Sequence, residues 1–445
     1  MPQTSSLLHA WSQTLHSGAT ECALIDAASA QSWTRRELDA ATNAWCDQQG
    51  ETISGQVVAL AEPNGAEWLR SFLAVLKSNA VIAPLDPGEP LETQRTTAEA
   101  IGANFLWREG RLESLGRRKR KPRDARRLIK LTSGSTGTPR PIFFKDGELI
   151  ADGRQLCAVM GIRADDINLG LIPWGHSYGL GNLIMPLFLQ GTCIVFGAPP
   201  LPHAIARAIQ QWKPTIFPAV PALLRALVDS VVPPDQLASL RTVISAGAPL
   251  APETAQNFHK QFGRKIHNFY GSSETGGISY DSSGDSAALG RGVGLPIPGV
   301  RVEFERSGRF TVANGAVFTI GNRRGGSHRM PDIGRLDERG ELVLLGRAGR
   351  FVKIAGRRLN LAEVEAALKR LPGVGDAMVA PHSARADALA AAVLTARSGS
   401  EIREALRGRL SPWKIPKKIL TFPAFPLTSR GKTDARRLRE LLGAP

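Results

Sequence analysis

Residues 131–140 read Leu-Thr-Ser-Gly-Ser-Thr-Gly-Thr-Pro-Arg and follow the apolar start Leu128-Ile129. Gly134 and Gly137 let backbone N–H groups approach an anion with no Cβ in the way, while Thr132, Ser133, Ser135, Thr136 and Thr138 add hydroxyl donors. The stretch has the chemistry of a polyphosphate cradle. It lacks the Gly-Lys-Ser/Thr of a Walker A loop, because Pro139 and Arg140 stand where that pattern needs it, and the P-loop NTPases are set aside. On its own such a run also suits a surface turn, so the rest of the chain has to decide.

The 445 residues leave room for about three units of ~150 residues, enough to bury substantial cores. Cys22, Cys46, Cys157 and Cys193 are widely spaced with no Cys-x-x-Cys pair, which argues against structural zinc and against a disulfide framework. Together with an N-terminus that carries no export signal, this leads to the expectation of a reducing cytoplasm. The formal net charge is +16, and its sharpest excess runs from Arg117 to Arg123 and on through Arg126 and Arg127. No aromatic interleaves that run, so it reads as a solvated basic connector, or as a surface that steers anionic ligands or an acidic carrier protein, and not as a nucleic-acid interface. Residues 167–206 hold no Asp, Glu, Lys or Arg, yet Pro173, Asn182 and Pro186 interrupt them short of the ~20 apolar residues of a spanning helix. A buried helix and strand beside a pocket is the expectation there, with no membrane span.

From about 20 to 116, helical stretches such as 67–76 alternate with apolar runs such as 57–60 and 81–83, the mark of a layered α/β domain. The alternation resumes with strands at 215–217 and 242–244 and a helix at 221–228. Runs at 301–305, 317–320 and 341–345, separated by glycines, predict an antiparallel β subdomain over about 290–347. Beyond it the pattern becomes a small α+β unit, with Leu361, Val364, Leu368 and Leu371 on one helical face, Gly373 as a stop, and a last helix near 433–442.

Four further stretches follow the 131–140 loop in order: Ser245-Ala-Gly-Ala-Pro-Leu250, Asn268-Phe-Tyr-Gly-Ser-Ser-Glu-Thr275, Asp332-Ile-Gly-Arg-Leu-Asp through Gly346-Arg347, and Pro426-Leu-Thr-Ser-Arg-Gly-Lys432. With that loop, and with Trp33-Thr34-Arg-Arg-Glu-Leu38 upstream, they resemble the adenylate-forming superfamily of acyl-CoA synthetases, peptide-synthetase adenylation domains and firefly luciferase. The resemblance implies a large N-terminal AMP-binding domain, residues 1–347, and a small mobile C-terminal lid, residues 348–445, with Gly349 at the hinge. The family hinge position usually holds Asp or Lys.

The resemblance also implies roles. Thr132, Ser133, Gly134, Ser135, Thr136 and Gly137 would grip the ATP phosphates, with Thr136 and Glu274 at Mg²⁺. Gly247 and Ala248 would face adenine on one side and Tyr270 on the other, beside Gly271, Ser272 and Ser273, while Asp332 and Arg347 would hold the ribose. The family usually has Thr-Gly before that aspartate, where this chain has Met330-Pro331. Lys432 would bridge the attacking carboxylate and the α-phosphate. Lys353 and Gly356 would face the site when the acyl group moves to a thiol.

His176 resembles a family histidine at the edge of the acyl pocket, and a plain structural histidine fits it equally. Amino-acid-activating relatives generally place an Asp near 174–177 to pair with the substrate ammonium, whereas Trp174-Gly175-His176-Ser177 supply no carboxylate, so a fatty or aromatic acid is favoured. Tyr178, Leu180, Leu183 and Ile184 read either as an apolar wall for it or as packing. The leading expectation is an AMP-forming acid–thiol ligase that uses ATP, Mg²⁺ and CoA. The alternatives are loading of a carrier-protein phosphopantetheine and a non-catalytic nucleotide-binding scaffold.

Overall fold

A computed structural model describes residues 6–116, 126–132, 140–318, 326–347, 351–354, 357–382, 388–407, 409–428 and 433–443. At Thr132, Arg140, Arg347, Phe351, Lys353, Arg357, Arg358 and Asn360 only the backbone is described. The fold is mixed α/β, with a large N-terminal part and a small C-terminal one. The chain divides into one compact unit of Met1–Glu303, Thr311–Arg329 and Leu336–Val343, and a second of Phe304–Phe310, Met330–Arg335 and Leu344–Pro445.

Two sheets build the first unit. In the larger, Ile266–Ser272, Thr242–Ser245, Ile216–Ala219, Ile167–Leu169, Cys193–Phe196 and Cys22–Asp26 lie side by side and parallel. Antiparallel strands Gly276–Tyr280 and Leu295–Pro296 extend one side, and Ser32–Thr34 closes the other. Runs such as Thr242–Ser245 are buried at every position, as expected of a parallel strand covered on both faces. The smaller sheet orders Arg111–Ser114, Phe105–Arg108, Val57–Leu60, Val81–Pro84, Leu128–Thr132 and Arg140–Phe144.

Between the sheets lies one core. Val58, Leu60 and Ile82 of the smaller sheet and Leu24, Ile194 and Phe196 of the larger join Trp68, Phe72 and Val75 of helix Ala66–Lys77 and Leu187 and Phe188 of helix Met185–Gln190. The charge-free stretch after Ile167 thus supplies a buried strand and helix. The stretch Thr34–Leu38 starts helix Arg35–Ile53 with a capping box, in which Thr34 and Glu37 satisfy each other's backbone N–H.

The expected β subdomain divides. Strands Arg301–Phe304, Arg309–Ala313, Ser327–Leu336 and Leu342–Arg347 form a four-stranded sheet in chain order. Leu295 and Pro296 instead pair with Tyr280 and Ser279 in the large sheet. Gly294 makes that approach possible: its φ is +85°, and a Cβ there would sit 2.2 Å from the backbone of Tyr280 and Asp281. No strand forms at Val317 or Phe318, and residues 319–320 lie outside the described residues.

In the second unit, Asp376–Pro381, Leu389–Leu394 and Lys418–Phe422 form a sheet whose central strand shows a period of two. Leu389, Ala391 and Val393 meet Val364 and Leu368 of helix Leu361–Lys369 and Ile402 and Leu406 of helix Gly399–Leu406. Ala390 and Ala392 face the other way, toward Leu438 and Leu442 of helix Ala435–Leu442. Leu371 is buried beyond the first helix, and Gly373, at φ +76°, belongs to the turn that follows. Among the described residues, no helix is long and apolar enough to cross a membrane.

Candidate active site

The 131–140 loop is the connection of a hairpin. Strand Leu128–Thr132 runs antiparallel to Arg140–Phe144, and Thr132 pairs with Arg140 across its mouth. Ser133, Gly134, Ser135, Thr136 and Gly137 lie outside the described residues. At the hairpin base Lys130 is buried, its ammonium 4.2 Å from the centre of the Phe144 ring. Burial lowers its pKa, opposed by the nearby carboxylates of Asp152, Glu274 and Glu148.

The carboxyl ends of the parallel strands carry the other nucleotide-motif residues of the first unit, where open α/β sheets hold their ligands. Strand Thr242–Ser245 runs out into exposed Gly247 and Ala248, with Gly247 at φ +85°. Tyr270 lies near the end of the neighbouring strand Ile266–Ser272, and the register shifts between Tyr270 and Gly271, a bulge that turns the chain. A Cβ on Gly271 would sit 2.6 Å from the Gly276 carbonyl oxygen, so that position is closed to any side chain.

A serine-centred turn presents Glu274. The Ser272 hydroxyl accepts from the Glu274 and Thr275 N–H groups, each at 3.2 Å, and bonds the Thr275 hydroxyl at 3.0 Å. Behind it stands Asp152, buried within helix Asp146–Met160, whose Oδ1 accepts from the Gly277 N–H at 2.9 Å. Gly276, at φ +68°, passes so close that a Cβ would lie 2.3 Å from the same oxygen. Burial raises the Asp152 pKa, and the Lys130 charge and the Gly277 N–H oppose it.

The Trp174–Ser177 segment reaches the same turn, with the Ser177 hydroxyl donating to Ser273 Oγ at 2.9 Å. Asn64 clamps the segment by accepting from the Trp174 N–H and donating to the Ile172 carbonyl, both at 2.9 Å. His176 is exposed at the N-cap of the short helix Ser177–Gly179, its Nδ1 accepting from the Tyr178 N–H at 3.5 Å. The Tyr178 hydroxyl lies 3.2 Å from the carbonyls of both Ala219 and Ile244, and burial raises its pKa far above the usual phenol value. Leu180, Leu183 and Ile184 are buried in the intersheet core. They run through a π-helical turn, Leu180–Ile184, of the kind that recurs at functional sites.

Several partners of the Glu274 turn carry no motif in the sequence. The Glu274 carbonyl accepts from Phe318 N–H at 3.1 Å, and the Thr275 carbonyl from Asn314 Nδ2 at 3.4 Å. The Phe318 ring lies 5.8 Å from the His328 ring. Burial lowers the His328 pKa, opposed by the Glu274 charge. Lys130, Asp152, Asn64, Asn314 and His328 are single polar residues in apolar or mixed runs, and only the charge inside the apolar run 128–131 is a visible signal.

Asp332 sits on strand Ser327–Leu336, half-exposed, preceded by the buried Met330. Arg347 ends strand Leu342–Arg347, and Lys353 lies on the hairpin strand Phe351–Ile354. Lys432, Gly349 and Gly356 lie outside the described residues, as do the basic residues 117–125. Where the basic run re-enters, Arg126 stacks 4.0 Å from the Phe143 ring centre and Arg127 pairs with Asp146 at 3.2 Å.

As for Mg²⁺, the donor chemistry fits. A hard cation that keeps several waters needs one or two carboxylates besides substrate phosphates, and the turn offers Glu274.

Residues 114–309 match the AMP-binding enzyme family, and residues 363–432 match the AMP-binding enzyme C-terminal domain. A vanchrobactin synthetase of Vibrio anguillarum is 25% identical over 478 residues, 88% of this chain. The acetyl-coenzyme A synthetase of Caulobacter vibrioides is 29% identical over 71% of this chain. The L-proline–[L-prolyl-carrier protein] ligase of Streptomyces coelicolor is 28% identical over 87% of each chain. The chain spans 16% of the vanchrobactin synthetase and 56% of the acetyl-coenzyme A synthetase. Among solved structures, the o-succinylbenzoate coenzyme A synthetase of Bacillus subtilis in complex with AMP has the same fold, with a TM-score of 0.82 at 21% identity over 97% of this chain and 98% of that one. Both family matches, the shared fold and the ordered motifs lead to one conclusion: the chain belongs to the adenylate-forming superfamily of AMP-binding enzymes.

Proposed function

We propose that this enzyme activates a carboxylic acid with ATP to an acyl-adenylate, releasing pyrophosphate, and then passes the acyl group to the thiol of CoA. The observation that carries the reading is the Ser177–Ser273 hydrogen bond, which joins the acyl-side segment to the turn presenting Glu274 beside the Lys130 hairpin. An acid held by the first can meet a nucleotide held by the second. Residues 1–347 are assigned to adenylation and 348–445 to the lid, hinged at Gly349.

The chemistry needs a weak nucleophile brought in line with a charged α-phosphate, so positioning and charge stabilisation do most of it. The 132–137 loop grips the β and γ phosphates. Tyr270 and the Gly247-Ala248 backbone enclose adenine, and Asp332 and Arg347 hold the ribose. Glu274 and Thr136 would hold Mg²⁺, which neutralises phosphate charge when bound. Lys432 stabilises the charge that shifts from the attacking carboxylate to the leaving pyrophosphate. After pyrophosphate is released, the Lys353–Gly356 segment replaces Lys432, and the thiol, losing its proton, attacks the acyl carbon, breaking the bond to the AMP phosphate oxygen and releasing AMP.

A fatty or aromatic acid suits the absence of a carboxylate at Trp174–Ser177. Loading of a carrier-protein phosphopantetheine is the second reading, favoured by the end-to-end similarity to a carrier-protein ligase and by the +16 charge, which suits an acidic carrier.

Acid-dependent exchange of labelled pyrophosphate into ATP, across fatty, aromatic and amino acids, tests the first step without requiring the right thiol. Exchange with one acid class is expected, lowered at least ~10²-fold by Lys432→Ala, the scale for removing one transition-state donor. ATP binding without exchange on any acid would support the scaffold instead. Mass spectrometry of the thioester formed with CoA or with carrier protein separates the two acceptors.

A further inference from the structure

The four cysteines are not all isolated. Cys22 and Cys193, separated by 171 positions in the chain, bring their sulfurs to 3.5 Å, with the Cys193 thiol donating to Cys22 Sγ. They open the strands Cys22–Asp26 and Cys193–Phe196, which are parallel neighbours with Leu24 opposite Ile194. Both therefore lie at the amino end of the parallel sheet, opposite to the end that carries the candidate active site. Cys22, Cys46, Cys157 and Cys193 are all free thiols, as their spacing led one to expect, yet the parallel sheet brings two of them together across a sequence distance that spacing alone cannot relate.

We propose that Cys22 and Cys193 are a redox-active dithiol, oxidised to a cross-strand disulfide by a low-molecular-weight disulfide such as oxidised glutathione. Closing the sulfurs to the ~2.05 Å of a disulfide asks for an approach of roughly 1.5 Å. With Leu24 opposite Ile194, Cys193 stands one residue further along than Cys22, and a strand spacing of about 4.8 Å with a rise of about 3.3 Å puts such staggered Cα atoms roughly 6 Å apart, within the range that disulfides span. Cys22 is half-exposed and Cys193 is 8% exposed, so the two have different parts.

The surroundings favour a thiolate at the accessible position. Arg35 is 2% exposed, with its guanidinium bonded to the Gly18 carbonyl at 2.7 Å, to the Gly191 carbonyl and to Glu21 at 2.8 Å. Its Nε is buried with no hydrogen-bond partner among the described residues. The Cys193 thiol does most to lower the Cys22 pKa, burial opposes it, and the backbone contacts of Leu24 and Trp33 and, least, the Arg35 charge add to the lowering. Cys193 is pushed up by the same contact and by burial. A partly exposed cysteine whose thiolate is favoured by a neighbouring donor is the more reactive of such a pair.

The step balances. The Cys22 thiolate attacks one sulfur of the oxidant, whose S–S bond breaks and releases a glutathione thiolate. Cys193 then gives its proton to solvent, its sulfur attacks Cys22 Sγ, and the mixed-disulfide bond breaks to release the second glutathione. Two electrons pass from the protein to the oxidant.

The test uses the full folded chain, equilibrated across reduced and oxidised glutathione mixtures, acid-quenched, digested without reductant and mapped by mass spectrometry. The expected result is a Cys22–Cys193 linked peptide lighter by two hydrogens, reversed by reductant, with Cys46 and Cys157 still thiols. Absence of that peptide at the most oxidising ratio overturns the proposal, whether the cysteines stay reduced or Cys22 stops at the mixed disulfide. Cys193→Ser is expected to trap glutathione on Cys22, and Cys22→Ser to leave Cys193 unmodified. Equal modification of the two variants would overturn the assignment of Cys22 as the attacking thiol.

Discussion

Asp152 sits in the middle of a helix, with nothing around it in sequence to mark it. It holds the Gly277 N–H and fills the space that a side chain on Gly276 would need, and so sets the path of the chain just after Glu274. Asp152→Ala is expected to cost about 1–3 kcal/mol, the penalty for a buried donor left without an acceptor. Asp152→Asn keeps an acceptor oxygen for Gly277 but takes a negative charge from beside the buried Lys130, so in urea denaturation it should recover only part of that cost, while Asp152→Ala also raises the Mg²⁺ needed for half-maximal pyrophosphate exchange. His328 gives a pH signature. Its folded pKa lies below the ordinary 6.5 of a histidine, so below that pH the unfolded chain takes up a proton that the folded one resists. Stability at neutral pH is therefore lost as pH falls from about 6.5 through the folded value. The urea midpoint of wild type should drop faster across this window than that of His328→Gln; parallel curves would show that His328 keeps an ordinary pKa in the fold.

Between residues and fold stands the Pro173–Ile184 element. Gly175 lies against Pro84, and Gly179 is so close to the Pro173 carbonyl that a Cβ would meet its oxygen at 2.1 Å. Because the obstructing atoms are backbone, Gly179→Ala must displace the loop. We expect a lower melting temperature and loss of exchange, read by calorimetry and the exchange assay; wild-type behaviour in both would show that the loop has room. Sequence patterning anticipates helices Ala66–Lys77 and Pro221–Val228 and strands Val57–Leu60 and Thr242–Ser245 because each is a short apolar or amphipathic run bounded by breakers. It misreads Val317 and Phe318 because Asn314 organises that segment through bonds to the N–H groups of Ala316 and Val317, at 2.7 and 2.9 Å, which no periodicity encodes. Tyr178 is equally opaque, since its hydroxyl bonds carbonyls of two strands reached only through tertiary folding.

At the scale of the molecule, two sheets of the first unit share a core, and that unit's motif residues Gly247, Ala248 and Tyr270 to Glu274 collect at the carboxyl ends of parallel strands. The glycine- and hydroxyl-rich motifs are legible because chemistry there demands particular residue types. Their supports are not, because a buried lysine or aspartate is defined by what folds around it. The hairpin at the mouth of the 133–139 loop has a consequence for engineering and for descent. Thr132 and Arg140 are partners in a ladder, so the loop leaves and re-enters the fold at adjacent points. Loop-closure entropy depends only weakly on what lies between such fixed ends. A Gly/Ser replacement of residues 133–139 at equal length is therefore expected to melt close to wild type while pyrophosphate exchange disappears. With the phosphate grip proposed for that loop, grip and scaffold can drift independently, and one scaffold can be refitted for another anion by rewriting a single short insert.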